Sequence, residues 1–320
     1  MNEEFQNQDE QIKNTGGEQK PFSSLPPIGA AFIALIGIFL LYQIGGAILT
    51  IAIFGFNIEK ADVNAMRLLT MGGQILLMLA PTLILARMVY HNNVSTILRV
   101  RMPAFKEIGA FVIGLILLTP LLENFLYIQN YVLMKLSSSS AFLKQIMDVL
   151  DKADKLVEKT YDSLLTSHSI WESSFILFVV AVIPAICEET LFRGFVQKSL
   201  ELKLRPVWAI LITSVFFGFY HFSPYGLITL IALGAYFGFA AYLSNSIFVT
   251  MTLHFINNFI AVMVYLILGN EELINTSPAK YDSIIPQLIS FIMLATLFFS
   301  YMIYVKTNYH KLLPKRQEEL

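Results

Sequence analysis

Eight stretches of this chain stay apolar for about twenty residues at a time, and that feature constrains its fold more than any other. They lie near residues 28–54, 68–89, 107–132, 173–198, 206–222, 225–243, 246–268 and 284–305. A helix rising about 1.5 Å per residue needs about 20 such residues to cross a hydrocarbon core about 30 Å thick. The composition agrees: 56% of the 320 residues are hydrophobic and only 14% are charged, where soluble domains carry about 25% charged residues. The expected fold is all-α, a polytopic transmembrane helical bundle of about eight spans. A net charge of −1, with no large basic patch, leaves nothing to hold nucleic-acid phosphates.

The runs divide the chain. A polar tail of mixed charge (1–27), expected to be disordered, precedes the N-terminal spans (28–135), a connection (136–172), the central spans (173–268), a last loop and span (269–306) and a second polar tail (307–320). The first tail lacks a basic segment followed by a short apolar core, so the first span must act as the targeting signal. Orientation follows from the basic residues. Arg99, Arg101 and Lys106, then Lys198, Lys203 and Arg205, then Lys306, Lys311, Lys315 and Arg316 fall on one side if both termini are cytoplasmic. The net acidic connection GNEELINTSPAKYD falls on the other. The expectation is a multi-pass protein of the cell membrane, and the absence of organellar transit features favours a bacterial inner membrane. In 141–166, Leu143, Ile146, Met147, Leu150, Val157, Tyr161, Leu164 and Leu165 recur at helical spacing among charged residues. This reads as an amphipathic, non-cytoplasmic helix lying at the lipid interface, with a lid over a site as the alternative. No internal repeat suggests a transporter built from duplicated halves.

Ionisable residues inside spans are costly and are functional candidates by default. The fourth run contains ICEETLFRGF, residues 186–195. Glu188 and Glu189 point about 100° apart on a helix, and Glu189 stands four residues before Arg193, the favourable order for an ion pair on one face. A structural salt bridge is the simpler reading for that pair, which leaves Glu188 without a local partner. Pro184, one turn upstream, removes a backbone donor and can open space beside it. His221 ends the fifth run one turn after Phe217, and His254 lies in the seventh, one turn before Asn258. Counting about 1.5 Å per residue from the cytoplasmic ends puts Glu188 roughly 15 Å deep, His221 roughly 22 Å, and His254 and Asn258 roughly 12 and 18 Å. Three spans thus bring a carboxylate, two imidazoles and an amide towards one level.

Hydrocarbon disfavours the charged form of a carboxylate, which suits Glu188 to general-base work. An imidazole can share in activating a water or can bind metal, and an asparagine amide can donate to a developing oxyanion. No span offers a Ser, Cys or Thr nucleophile with an obvious adjacent His, and the HExxH zinc signature is absent. Cys187, the lone cysteine, reads as packing. Gln74, Glu123 and Asn124 could line a substrate path, but near span ends they fit headgroup contact or helix capping better and stay outside the expected site.

Glu188-Glu189-xxx-Arg193, Phe217-xxx-His221 and His254-xxx-Asn258 resemble the ordered motifs EExxxR, FxxxH and HxxxN of the type II CAAX prenyl endopeptidases and bacteriocin-processing intramembrane proteases (the CPBP or ABI family). The resemblance covers roughly 173–265. It implies an α-helical membrane endopeptidase acting on a membrane-embedded peptide or protein within the bilayer. Glu188 and His221 would activate water, His254 and Asn258 would stabilise the oxyanion, and Glu189 and Arg193, with Phe217, would support the site. An older reading of such families makes Glu188, His221 and His254 zinc ligands, and the sequence leaves that choice open. The eukaryotic branch takes prenylated CAAX proteins, while many bacterial members are linked to peptide maturation or bacteriocin self-immunity. Two rivals stand beside hydrolysis: a non-catalytic immunity or scaffold protein, and a proton-coupled transporter using the same groups as a relay. Only Gly234-xxx-Gly238 is distinctive in the sixth run, a spacing that lets helices approach closely.

Overall fold

The computed structural model describes residues 23–56, 61–268 and 284–313, in which all regular structure is helical. The helices are α1 (Pro27–Phe54), α2 (Val63–Ile97, irregular near its end), α3 (Phe105–Ser137), α4 (Ala141–Leu165), α5 (Ile170–Glu201), α6 (Pro206–Tyr220), α7 (Leu227–Ser244), α8 (Ile247–Leu268) and α9 (Ile285–Asn308). Seven are long and apolar enough to cross a membrane, and α6, with 15 residues, is a shorter apolar eighth. The chain is a multi-pass helical membrane protein. Most of the N-terminal tail, the acidic connection at 269–282, and Lys315 and Arg316 lie outside the described residues.

The span ends differ from the hydropathy limits where tertiary contacts satisfy polar groups. α2 begins at Val63, ahead of its apolar run, because Asp62 caps it by accepting from Ala65 N at 2.8 Å. Arg67 then lies in the first turns yet is 1% exposed. Its guanidinium donates to Asn64 Oδ1 at 2.6 Å, to Leu164 O at 3.0 Å and to Thr166 O. The carbonyls at the end of α4 suit a cation, since they carry the negative end of the helix dipole.

α5 is the central helix: 61% of its apolar window is buried, against 17% for α1, α2 and α9. Leu191, Phe192, Phe195 and Val196 of α5 pack in one core with Ala31, Ala34 and Leu35 of α1, Val89 and Tyr90 of α2 and Phe217 of α6. A second core joins Phe111 and Leu115 of α3, Phe237 of α7, Leu253 of α8 and Phe298 of α9. Four π-type turns interrupt the spans, at Leu41–Gly45, Gln74–Leu79, Phe178–Val182 and Thr190–Val196. Such turns add a residue to the helical cycle and shift the facing of everything beyond them.

α4 is amphipathic, and it is fastened to the bundle as well as facing outward. Asp151 accepts from Tyr225 OH, in the turn between α6 and α7, and Asp162 accepts from Tyr265 OH on α8. Met147, Asp154 and Leu165 are buried. The same α6–α7 turn is held by Gln129 Nε2 of α3, which donates to Tyr225 O at 2.8 Å. Burial and the adjacent Asp151 push the Tyr225 phenol up. At the opposite end of α6, Arg99, which reads as a surface loop charge, is 2% exposed. It donates to Arg193 O at 3.0 Å and Ala241 O at 2.9 Å and pairs with Glu201 at 2.6 Å.

Candidate active site

Pro184 sits at the start of the Ile183–Glu189 stretch of α5, directly after one π-type turn, and Thr190 opens the next. The two carboxylates at the end of this stretch point to different surroundings. Glu189 is fully buried. Its Oε1 accepts from Arg193 NH1 at 3.1 Å and from His254 Nδ1 at 2.9 Å. Arg193 continues to Gly234 O on α7 at 3.1 Å, and its guanidinium lies over the Phe217 ring, 4.2 Å from the centroid. Stacking on an aromatic face suits a planar, weakly hydrated cation.

The glycine pair on α7 has a specific task here. A Cβ at Gly234 would stand 3.0 Å from Phe217 Cδ1 and 3.4 Å from Arg193 NH2, and one at Gly238 would stand 2.8 Å from Gln197 Oε1. Without those carbons, Arg193 reaches Gly234 O and Gln197 reaches Gly238 O at 2.8 Å. The close helix approach is two hydrogen-bonded rungs, one turn apart.

Glu188 faces the other way. Its Oε2 lies 3.7 Å from His221 Nε2, beyond direct hydrogen-bond range, and accepts from no described residue. His221 Nδ1 stands 2.7 Å from Phe217 O. A carbonyl can only accept, so Nδ1 carries a proton, and in the neutral form of the ring Nε2 presents its lone pair to Glu188. In that form two acceptors face each other across a gap. Tyr42, Tyr161 and Tyr220 lie within electrostatic reach of this carboxylate. Tyr220 OH donates to Leu35 O at 2.7 Å. Tyr161 comes from α4.

Phe217 is the wall between the two carboxylate sites, its ring centroid 4.6 Å from that of His221 and 5.9 Å from that of His254. Asn258 is held separately. Its Nδ2 donates to Val180 O at 3.0 Å and its Oδ1 accepts from Asn257 at 3.1 Å. Val180 lies in the Phe178–Val182 π-type turn, so the amide occupies a carbonyl within an irregular stretch while its second N–H is uncommitted. The structure thus brings Glu188 to His221, and Glu189 to Arg193 and His254, with Phe217 between. Asn258 meets α5 one stretch earlier. Cys187, 1% exposed, belongs to the apolar core.

Among the described residues no three His, Cys, Asp or Glu side chains converge as metal ligands. Of the zinc candidates, Glu188 and His221 face each other, and His254 gives its Nδ1 to Glu189, which leaves its Nε2 as the atom that could ligate a metal.

Tyr42 is a residue that sequence reasoning passed over, and Gln74 is one it weighed as a substrate-path residue and set aside. Gln74 is 6% exposed and lies beside Tyr42. The available signal was a carboxamide inside an apolar run. Asn124 caps no helix end: it lies within α3 and donates to Pro120 O of the same helix at 2.8 Å, and Glu123 is exposed.

Residues 170–260 match the family model described as type II CAAX prenyl endopeptidase, Rce1-like. That interval holds all seven residues of the three motifs and leaves α1 to α4 and α9 outside. No curated protein and no solved structure matches the chain.

Proposed function

Taking residues 170–260 as the core of a type II CAAX endopeptidase-like membrane protein, we propose that the chain is an intramembrane endopeptidase. It hydrolyses a peptide bond in a membrane-associated peptide or protein, either prenylated or leader-bearing. The supporting observation is the Glu188–His221 pair: a carboxylate oxygen and an imidazole lone pair, 3.7 Å apart, with the histidine tautomer set by Phe217 O. Two facing acceptors select a molecule that donates twice, and water does so.

In this reading the water gives one hydrogen bond to Glu188 Oε2 and one to His221 Nε2. As its oxygen bonds to the substrate carbonyl carbon, its proton passes to Glu188. The resulting oxyanion is received by the free N–H of Asn258 and by His254 Nε2. With Nδ1 already donating to Glu189, His254 can donate from Nε2 only as imidazolium, and Glu189 is the counter-ion for that form. Collapse of the tetrahedral intermediate breaks the C–N bond, and the proton on Glu188 moves to the leaving nitrogen, giving a carboxylic acid and an amine; transfer of the acid's proton to the amine then leaves a carboxylate and an ammonium. A positioned base of this kind contributes about 10²–10⁴ in rate, and an oxyanion donor about 10²–10³. Arg193 and Glu189 position His254. The distribution of Lys and Arg supports a cell membrane location with both termini cytoplasmic.

The test is cleavage of quenched-fluorescent membrane peptides by the purified protein in nanodiscs. Glu188→Gln is expected to remove turnover while leaving the fold intact, and turnover equal to wild type rejects the assigned base.

A further inference from the structure

A cleft of about 300 Å³ opens between α1 and α2, lined by residues that include Tyr42, Gln43, Gly46, Thr50, Thr70 and Gly73. One wall comes from a π-type turn, Leu41–Gly45, which holds Tyr42 and Gln43, and Gln74, which opens the next such turn, directly follows Gly73 of the lining. The Gln74–Leu79 turn packs against both Leu41–Gly45 and the Ile183–Glu189 stretch of α5. Tyr42 therefore lines the cleft, lies beside Gln74 and stands within electrostatic reach of Glu188, and Gln43 donates to Tyr220 O, next to His221, at 3.0 Å.

Gln74 is the unusual group. It is more than nine-tenths buried, and its Oε1 has no partner. Whichever way round the amide is assigned, one of its two polar ends is left unpaired. A buried amide without a partner is costly, so it calls for a ligand with matching groups. Thr50 and Thr70 donate to Gly46 O and Met66 O, each at 2.9 Å, which leaves their oxygens to accept. Gly46 has nothing within 4 Å of where a Cβ would stand, so the wall there is open. The volume sits at the lower end of the roughly 300–1,000 Å³ of ligand sites, enough for a short extended segment.

We propose that this cleft binds the stretch of substrate polypeptide adjoining the scissile bond, in extended form, with Tyr42 and Gln74 bonding its backbone beside Glu188. The proposal rests on the hydrolytic reading above and adds its substrate groove. An extended backbone supplies an N–H and a C=O at each residue, the pair that a hydroxyl and a carboxamide recognise. An isoprenoid chain supplies neither and would seal the amide in hydrocarbon, a loss of roughly tenfold in binding for each hydrogen bond forgone. Small side chains suit a lining that includes Gly46, Ala47 and Gly73.

The probe is a quenched-fluorescent peptide of about 20 residues, apolar along one half and Ala-Gly-Ala at its centre, in nanodiscs. Gln74→Met conserves volume and removes the unpaired amide, so the unfolding temperature should hold or rise while KM increases about tenfold and kcat stays within about twofold. Tyr42→Phe should move KM in the same direction. A photo-cross-linking benzoylphenylalanine placed at Thr50 in the Glu188→Gln background should capture the peptide, and excess farnesol should not prevent it. An unchanged KM in both variants, capture of phospholipid alone, or protection by farnesol overturns the proposal. A peptide captured at Thr50 that wild-type protein does not cut leaves the groove standing and removes the hydrolytic reading. Glu188-dependent cutting without capture does the reverse. A peptide neither cut nor captured counts against both.

Discussion

Glu188 and Glu189 share a peptide bond, yet they occupy opposite surroundings. Glu189 lies between α7 and α8 with a guanidinium and an imidazole on one oxygen and an aromatic wall beside them. Glu188 lies towards α1, α2 and α6, facing His221 and three tyrosines, with no Lys or Arg of the described residues paired to it; each acid keeps one oxygen without a hydrogen-bond partner. The difference separates holding from reacting. A buried ion pair resists change because removing either partner strands the other, whereas a carboxylate left short of a donor can accept one from a bound molecule. Placing both on one rigid helix lets the first set the distance at which the second works.

The comparison can be broken in four ways. Glu188→Gln should lower kcat by roughly 10³–10⁴ with no loss of thermal stability in nanodiscs; a fall in unfolding temperature would put this carboxylate in the same class as its neighbour. Arg193→Ala should cost about 3–5 kcal/mol of unfolding free energy, since it leaves Glu189 and Gly234 O without their cation, and denaturant titration measures it. Gly234→Ala drives a methyl against Phe217 and Arg193 and should cost about 1–3 kcal/mol, with activity falling in parallel because Phe217 O also orients His221. Cys187→Ala, one residue before Glu188 but facing the core, should cost about 1 kcal/mol and leave turnover unchanged; loss of turnover would implicate the thiol.

Hydropathy made the helices legible because lipid demands long apolar runs whatever the partner. It misplaced the start of α2 because Arg67 looks like a boundary residue, while α4 supplies the carbonyls that bury it. Arg99 misleads in the same way: its charge marks a loop, and its contacts with Arg193 O, Ala241 O and Glu201 mark a packing element. The motif spacing brought Glu189 and Arg193 onto one face because a single turn of helix fixes that geometry. It could not say which acid His254 meets, since that depends on how α8 packs against α5. The π-type turns around Pro184, Gln74 and Tyr42 leave no mark in composition, and they change which residues face the same space. Gln74 was set aside as a span-end residue because nothing in the sequence shows that turn.

The brevity of α6 has a consequence for the surrounding lipid. Its 15 residues reach about 22 Å, short of a hydrocarbon core of about 30 Å. One flank nevertheless shows Trp208, Leu211, Val215, Phe219 and Phe222 outward. Acyl chains beside that flank must thin to meet it, a hydrophobic mismatch of several ångströms. The expected outcome is a locally thinned bilayer next to His221, and turnover should rise modestly as the chains of the host lipid are shortened.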